Sequence, residues 1–259
     1  MNIALCLVGF IRDQSNIGNI TKFFNKINTN RLKKMTIYYS CPSKIEETDN
    51  EFDKNYILNL FKSQENEKLE IIISFRDYDK QTYINHATDL NLPYITSNNY
   101  HSYRIISFLN SISETTKIID KSNFNFIIFS RLDMINYILS INKVFDNDVI
   151  LYNTAYIWRT FPYISIGNTA NHVEDRFFIC SNECIDILKE LFLFSLKNQE
   201  IQGCLKNGIS SEEIIGKLFN SYENIQKYHL YNIEVSDDIN NYMSYRHKVK
   251  YSNEFLHNM

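Results

Sequence analysis

The sequence predicts an α/β protein built on a mainly parallel central sheet, and three observations predict it. Short apolar runs recur along the first half: NIALCLVG at 2–9, KMTIYYSC at 34–41, LEIIISF at 69–75 and FNFIIFS at 124–130. Segments with helical spacing of apolar residues separate them. The runs are largely unbroken by polar residues, so both faces of these strands must be covered, as in strands held between two layers of helices.

The elements follow in order. GNITKFFNKIN (18–28) reads as the first helix and EFDKNYILNLFKS (51–63) as the second. Residues 76–99 are polar and read as a loop of unknown shape, and a long helix follows at about 100–121. The crossovers between parallel strands should be right-handed. The second half is less regular. DVILYN (148–153) and DRFFICS (175–181) read as strands, 182–197 and 210–220 as helices, and QKYHLYNIEV (226–235) alternates like an edge or closing strand. No repeat or low-complexity linker marks a boundary, so one domain is expected over 1–259, divided into a first half (1–134), a second half (135–245) and a tail (246–259).

Composition narrows the function. The 259 residues are 44% hydrophobic and 22% charged, the proportions of an ordinary globular protein, with a net charge of −3. That balance gives no electrostatic footprint for nucleic acid, and RLKK at 31–34 reads as a solvated helix end or turn. Asn, Ile, Lys, Tyr and Phe are abundant, while Gly (6), Pro (3) and Trp (1) are scarce. AT-rich codons explain that bias better than any mechanism. The five cysteines (6, 41, 180, 184 and 204) form no C-x-x-C, which predicts reduced thiols in a cytoplasmic compartment. Cys180 and Cys184 with His172 lack a fourth zinc ligand, so packing is the preferred role. MNIALCLVGF has no basic region ahead of its apolar run and reads as a strand, not a leader. CIDILKELFLFSLKN is interrupted by Asp186, Lys189 and Glu190, so no membrane span is expected.

In an open parallel sheet, ligands bind beyond the carboxyl ends of the strands. The first strand runs into GFIRDQSNIG, which lacks the dinucleotide fingerprint G-x-G-x-x-G. It offers Gly9 for close approach of backbone to a ligand, and Arg12, a forked donor suited to phosphate or to a salt bridge. The fourth strand runs into SRLDM, where Arg131 and Asp133 share a face because strand side chains repeat every two residues. Two readings compete there: a local ion pair, or an Asp133 that holds a hard divalent cation on diphosphate oxygens. Glu174 and Asp175 precede an apolar strand, placed either to act as a general base and grip sugar hydroxyls or simply as loop charge. In GISSEEIIGKLF, Ser210 or Ser211 caps a helix and Glu213 reaches back, with Glu212 or Glu213 toward a ligand as the weaker reading. His101 opens the long helix beside Tyr103 and Arg104. No H-E-x-x-H, G-x-S-x-G or P-loop is present, and neither Cys6 nor Cys41 has an identifiable base partner.

Four blocks, in order, resemble a known family. IALCLVGFIRD (3–13) is similar to its apolar strand, small-residue turn and Arg. NNYHSYRIISFLNSISETTKIIDKSNFNFIIFSRLDM (98–134) is similar to its Tyr/Ser-rich helix and R-x-D strand. EDRFFICSNECIDILKEL (174–191) and SSEEIIGKLF (210–219) are similar to its later acidic blocks. The chain thus resembles GT-A-type glycosyltransferases of a divergent group found in large DNA viruses and some bacteria. The resemblance implies a Rossmann-like, GT-A-type sheet, with 1–134 as the nucleotide-binding half and 135–245 as the sugar and acceptor half. It implies transfer of a sugar from a nucleotide-sugar donor to a glycan or protein-linked acceptor. Gly9 and Arg12 would receive the nucleotide, with Tyr103 and Arg104 near the nucleotide sugar. Asp133 would match the last acid of the D-x-D motif and contact Mn²⁺ or Mg²⁺, and Asp175, beside Glu174, would match the acid near the acceptor. The sequence departs from that motif because Arg131 takes the first acidic position, where it either neutralises phosphate or holds Asp133. That departure motivates an alternative, a catalytically inactive nucleotide- or glycan-binding protein on the same scaffold. A sugar-phosphate nucleotidyltransferase is disfavoured, because GFIRDQSNIG supplies only two Gly and one Arg. Neither nucleic acid nor membrane enters this reading, and it is compatible with a homo-oligomer. Tyr156, Trp158, Arg159 and Tyr163 either stack on sugars or fill the core.

Overall fold

A computed structural model describes residues 2–11, 14–27, 32–44, 50–51, 53–93, 101–120, 124, 126–133, 135, 163–166, 173, 177–197 and 211–229. The chain lays down β1 (Asn2–Val8), α1 (Gln14–Ile27), β2 (Lys34–Pro42), α2 (Lys54–Lys62) and β3 (Leu69–Arg76). Two helices follow, α3 (Lys80–Asp89) and α4 (Ser102–Lys117), and then β4 (Phe126–Arg131). The second half adds β5 (Tyr163–Ile166), β6 (Phe177–Cys180), α5 (Cys184–Lys189), α6 (Leu191–Lys197), α7 (Ser211–Asn220) and β7 (Gln226–His229).

One seven-stranded sheet takes strands from both halves, in the order β3-β2-β1-β4-β6-β5-β7. β1 pairs in parallel with β2 and β4, and β2 with β3. β6 is antiparallel to both β4 and β5, and β7 runs parallel to β5. The chain therefore builds outward from β1 to β3, then returns to the other side of β1 to place β4. That reversal opens a crevice between the carboxyl ends of β1 and β4, the topological switch point of such sheets.

Alternation within β1 divides the core in two. Ile3, Leu5 and Leu7 join Ile17, Ile20 and Phe23 of α1 and Ile57 and Phe61 of α2 on one face. Ala4, Cys6 and Val8 join Ile106, Leu109 and Ile112 of α4, together with α5 and α7, on the other. Both faces are thus dry, as the unbroken apolar runs require. Across the antiparallel β4–β6 pair, Phe129 and Phe178 stack with centroids 4.6 Å apart, which locks the second half onto the first.

The structure corrects the expected boundaries in two places. Residues 76–99 contain α3, a helix held by its cap: the Asp79 carboxylate accepts from the Gln81 and Thr82 N–H groups. Its buried face is only Tyr83 and Ala87, too narrow to show as an apolar stripe in the sequence. Residues 163–166 form β5, a strand too short for periodicity to reveal. The expected strand at 148–153 and the tail lie outside the described residues. Among the described residues, no helix is long and apolar enough to cross a membrane.

Candidate functional site

The switch point is built on Gly9. Its φ of +94° is a conformation that L side chains rarely adopt, and a Cβ there would meet nothing within 4 Å. Glycine is therefore required by the turn, and the space beside it is open. Two hydrogen bonds hold the turn rigid. The Gly9 N–H donates to Ser111 Oγ at 3.0 Å, and the Gly9 carbonyl accepts from the Tyr39 hydroxyl at 2.9 Å. Helix α4 is fastened to the same strand one turn further along, where Thr115 Oγ1 donates to the Leu7 carbonyl at 3.3 Å. Small hydroxyl residues on α4 thus let it approach β1 closely and satisfy backbone groups that the strand ends leave over.

β4 delivers its charged pair beside this turn. Val8 and Arg131 are register partners, and the Leu132 N–H donates to the Val8 carbonyl at 3.1 Å. Arg131 closes its fork on Asp133: Nε donates to Oδ1 at 3.1 Å and Nη2 to Oδ2 at 2.8 Å. The two side chains are 12% and 6% exposed. Of the two readings open from sequence, the structure presents the ion pair, in the bidentate form that fixes both groups. Both Asp133 oxygens face a guanidinium. Among the described residues, no three His, Cys, Asp or Glu side chains converge. The described donor set therefore does not fit a divalent cation, which needs several free oxygens.

Tyr103 and Arg104 stand on the first turn of α4. Eight residues separate Tyr103 from Ser111, about 12 Å of helix, so this turn overhangs the strand ends and is not part of the Gly9 turn. Tyr103 is buried in the core. Its hydroxyl accepts from Arg104 Nε at 3.3 Å, and Lys80 Nζ lies 5.4 Å from its ring centroid. His101, the residue before the helix, packs on the same ring at 5.5 Å. The structure thus brings Gly9, Arg131 and Asp133 together and sets Tyr103 and Arg104 apart above them. Arg12, Glu174, Asp175, Tyr156, Trp158 and Arg159 lie outside the described residues, as does the side chain of Tyr163. The Val173 N–H does donate to the Glu212 carbonyl at 3.2 Å, joining the residue before Glu174 to the start of α7.

The cysteines behave as core. Cys6, Cys41, Cys180 and Cys184 are fully buried and free. Burial pushes the Cys41 thiol up to about 12 and the Cys6 thiol well above its usual value, so neither is a nucleophile. His172 and Cys204 are outside the described residues.

Sequence reasoning missed one residue, Arg76, the last of β3. It is 7% exposed. Its Nη1 donates to the Tyr83 hydroxyl at 3.2 Å, which also accepts from Asn110 Nδ2 at 2.7 Å. Its Nε and Nη2 have no hydrogen-bond partner. The available signal was an Arg closing an apolar strand in ISFRDYD, as Arg131 does in IFSRLDM.

No family model and no curated protein matches the chain. Among solved structures it is similar to mouse xyloside xylosyltransferase 1 in its apo form, at 10% identity and a TM-score of 0.41, over 88% of this chain and 85% of that one. It is also similar to a UTP-bound UGPase from Acinetobacter baumannii, at 8% identity and a TM-score of 0.35, over 99% of this chain and 97% of that one.

Proposed function

We propose that this chain is a nucleotide-sugar-dependent glycosyltransferase, moving a sugar from a nucleotide-diphosphate sugar to a hydroxyl of a glycan or other acceptor. The observation that carries the reading is the meeting, at the β1–β4 switch point, of an open glycine turn and a rigidly held guanidinium. In this reading the Gly9 backbone and Arg12 receive the nucleotide, and Arg131 offsets phosphate charge as the diphosphate departs. Asp133 orients the Arg131 plane. Tyr103 and Arg104 lie toward the nucleotide sugar. Asp175, beside Glu174, takes the proton of the acceptor hydroxyl. The acceptor oxygen then bonds to the anomeric carbon while the bond from that carbon to the diphosphate oxygen breaks, with inversion. No step is assigned to Mn²⁺ or Mg²⁺, because Arg131 already occupies the carboxylate at this strand end.

The same closed pair favours a second reading, an inactive nucleotide- or glycan-binding protein. Nucleotide release from UDP-, GDP-, CMP- and dTDP-sugars, with Mn²⁺ and with EDTA, separates the two. The transferase reading expects slow donor hydrolysis that Asp175→Ala abolishes and Asp133→Asn weakens. Binding of a donor without any turnover, with or without acceptor hydroxyls, would leave the binding protein in its place.

A further inference from the structure

We propose that Arg76 is the core of a second ligand subsite, one that takes an oxyanion, a phosphate or a carboxylate, at the carboxyl end of β3. The inference is independent of the donor reading. β3 lies three strand spacings from β4 in the sheet, about 14 Å across.

The argument starts from an incomplete side chain. Arginine keeps its charge in proteins and offers five N–H donors. Burying such a cation without an anion is costly, and buried polar atoms left without partners are rare. Arg76 is nine-tenths buried, yet one neutral hydroxyl is its side chain's only hydrogen-bond partner. The two nitrogens without partners are Nε and Nη2. They form one edge of the guanidinium, the same edge that Arg131 closes on Asp133 through two parallel bonds. The molecule thus contains this fork once filled by a carboxylate and once unfilled.

Nearby groups do not supply the anion. Asp77 is exposed and adjacent in sequence, so along the strand direction it faces away from Arg76. Asp79 is exposed and spends its carboxylate capping α3. Burial keeps the Cys41 thiol protonated. The remaining surroundings position the fork. The Arg76 carbonyl accepts from the Ser43 N–H at 2.8 Å, and Tyr83, which holds Nη1, stacks on Tyr78 with centroids 5.4 Å apart. Phe10, the residue after Gly9, meets the Tyr78 ring edge-on at 4.8 Å. The fork is therefore fixed by its neighbours and faces the same end of the sheet as the switch point.

The test uses the full chain at constant ionic strength, with chloride replaced by inorganic phosphate or by acetate, and separately with UDP and GDP. Thermal unfolding and titration calorimetry are read for wild type, Arg76→Lys and Arg76→Met. The proposal expects a saturable rise in Tm with phosphate or acetate. It expects affinity to fall about tenfold or more in Arg76→Lys, which keeps the charge but not the fork, and to vanish in Arg76→Met. Without ligand, Arg76→Met should melt at or above wild type, because it removes an uncompensated buried charge. A parallel loss for UDP or GDP identifies the phosphate as a nucleotide's, whereas a loss confined to acetate identifies a carboxylate ligand. No saturable response in wild type, or equal affinity in wild type and Arg76→Lys, would overturn the proposal. So would failure of both variants to fold, since that would make Arg76 a structural residue.

Discussion

Two arginines close two parallel strands of the same sheet, and their fates differ. Arg131 ends β4 and meets a carboxylate two residues on; Arg76 ends β3 and meets a tyrosine. Both sit at the carboxyl edge, both are largely buried, and both follow apolar runs. The difference lies in spacing. In Arg131-x-Asp133 the acid is two residues away and shares the arginine's side of the strand, so the fork can close. In Arg76-Asp77 the acid is the next residue and points to the opposite side. A one-residue shift of an aspartate therefore separates a self-satisfied ion pair from a guanidinium with an open edge. Beside the switch point, the closed pair provides fixed positive charge; at β3, the open fork waits for its counter-charge.

Breaking the closed pair should have the largest effect. Arg131→Met leaves the Asp133 carboxylate, 6% exposed, without its guanidinium, and should cost about 3–5 kcal/mol in urea unfolding. A loss under about 1 kcal/mol would mean that the pair behaves like an exposed one. Arg76→Met, the matching change at β3, should cost nothing or stabilise, so the two variants move in opposite directions. Tyr83→Phe sharpens the contrast by removing the acceptor shared by Arg76 and Asn110. We expect a loss of about 1–3 kcal/mol, because two buried donors then lack a partner.

Gly9→Ala probes the turn beside the closed pair. Nothing crowds the added methyl, so backbone strain at φ +94° is the whole cost, about 1–3 kcal/mol by chemical denaturation. An effect near zero would show that the turn adapts. The smallest effect belongs to the far end of β3. Burial pushes the Glu65 carboxyl up, but Lys62 and the Ile71 N–H outweigh it and hold the group below its ordinary value. A lowered carboxyl contributes stability that is present above its unfolded pKa and lost as pH falls through its folded one. Wild type should lose that contribution on acidification below the ordinary glutamate range. Glu65→Gln should flatten this part of the curve without changing stability's slope at neutral pH.

The first four strands were legible because each is an apolar run buried on both faces. Ile3, Leu5 and Leu7 on one side and Ala4, Cys6 and Val8 on the other leave no polar interruption to misread. α3 was not legible, because Asp79 and two backbone N–H groups define it more than its apolar face does. β5 has only four residues, less than any periodicity needs. At the site, Gly9, Arg131 and Asp133 could be named because strand-end chemistry stands out against apolar runs. Whether Arg131 held Asp133 or released it to a cation could not be read, because it depends on side-chain torsions and not on residue type. Arg76 was legible in principle: the R-D and R-x-D spacings differ in which side of the strand the acid takes.

The central claim is that the β1–β4 switch point receives a nucleotide-sugar donor, and thermal unfolding of the wild-type chain across a donor panel tests it most directly. UDP-, GDP-, CMP- and dTDP-sugars would each be added with Mn²⁺, with Mg²⁺ and with EDTA. A donor at a hundredfold its dissociation constant stabilises the folded chain by about 2.7 kcal/mol, enough to raise Tm by several degrees. The account predicts such a shift for one nucleotide class, persisting in EDTA because Arg131 supplies the positive charge. No shift with any donor would contradict it.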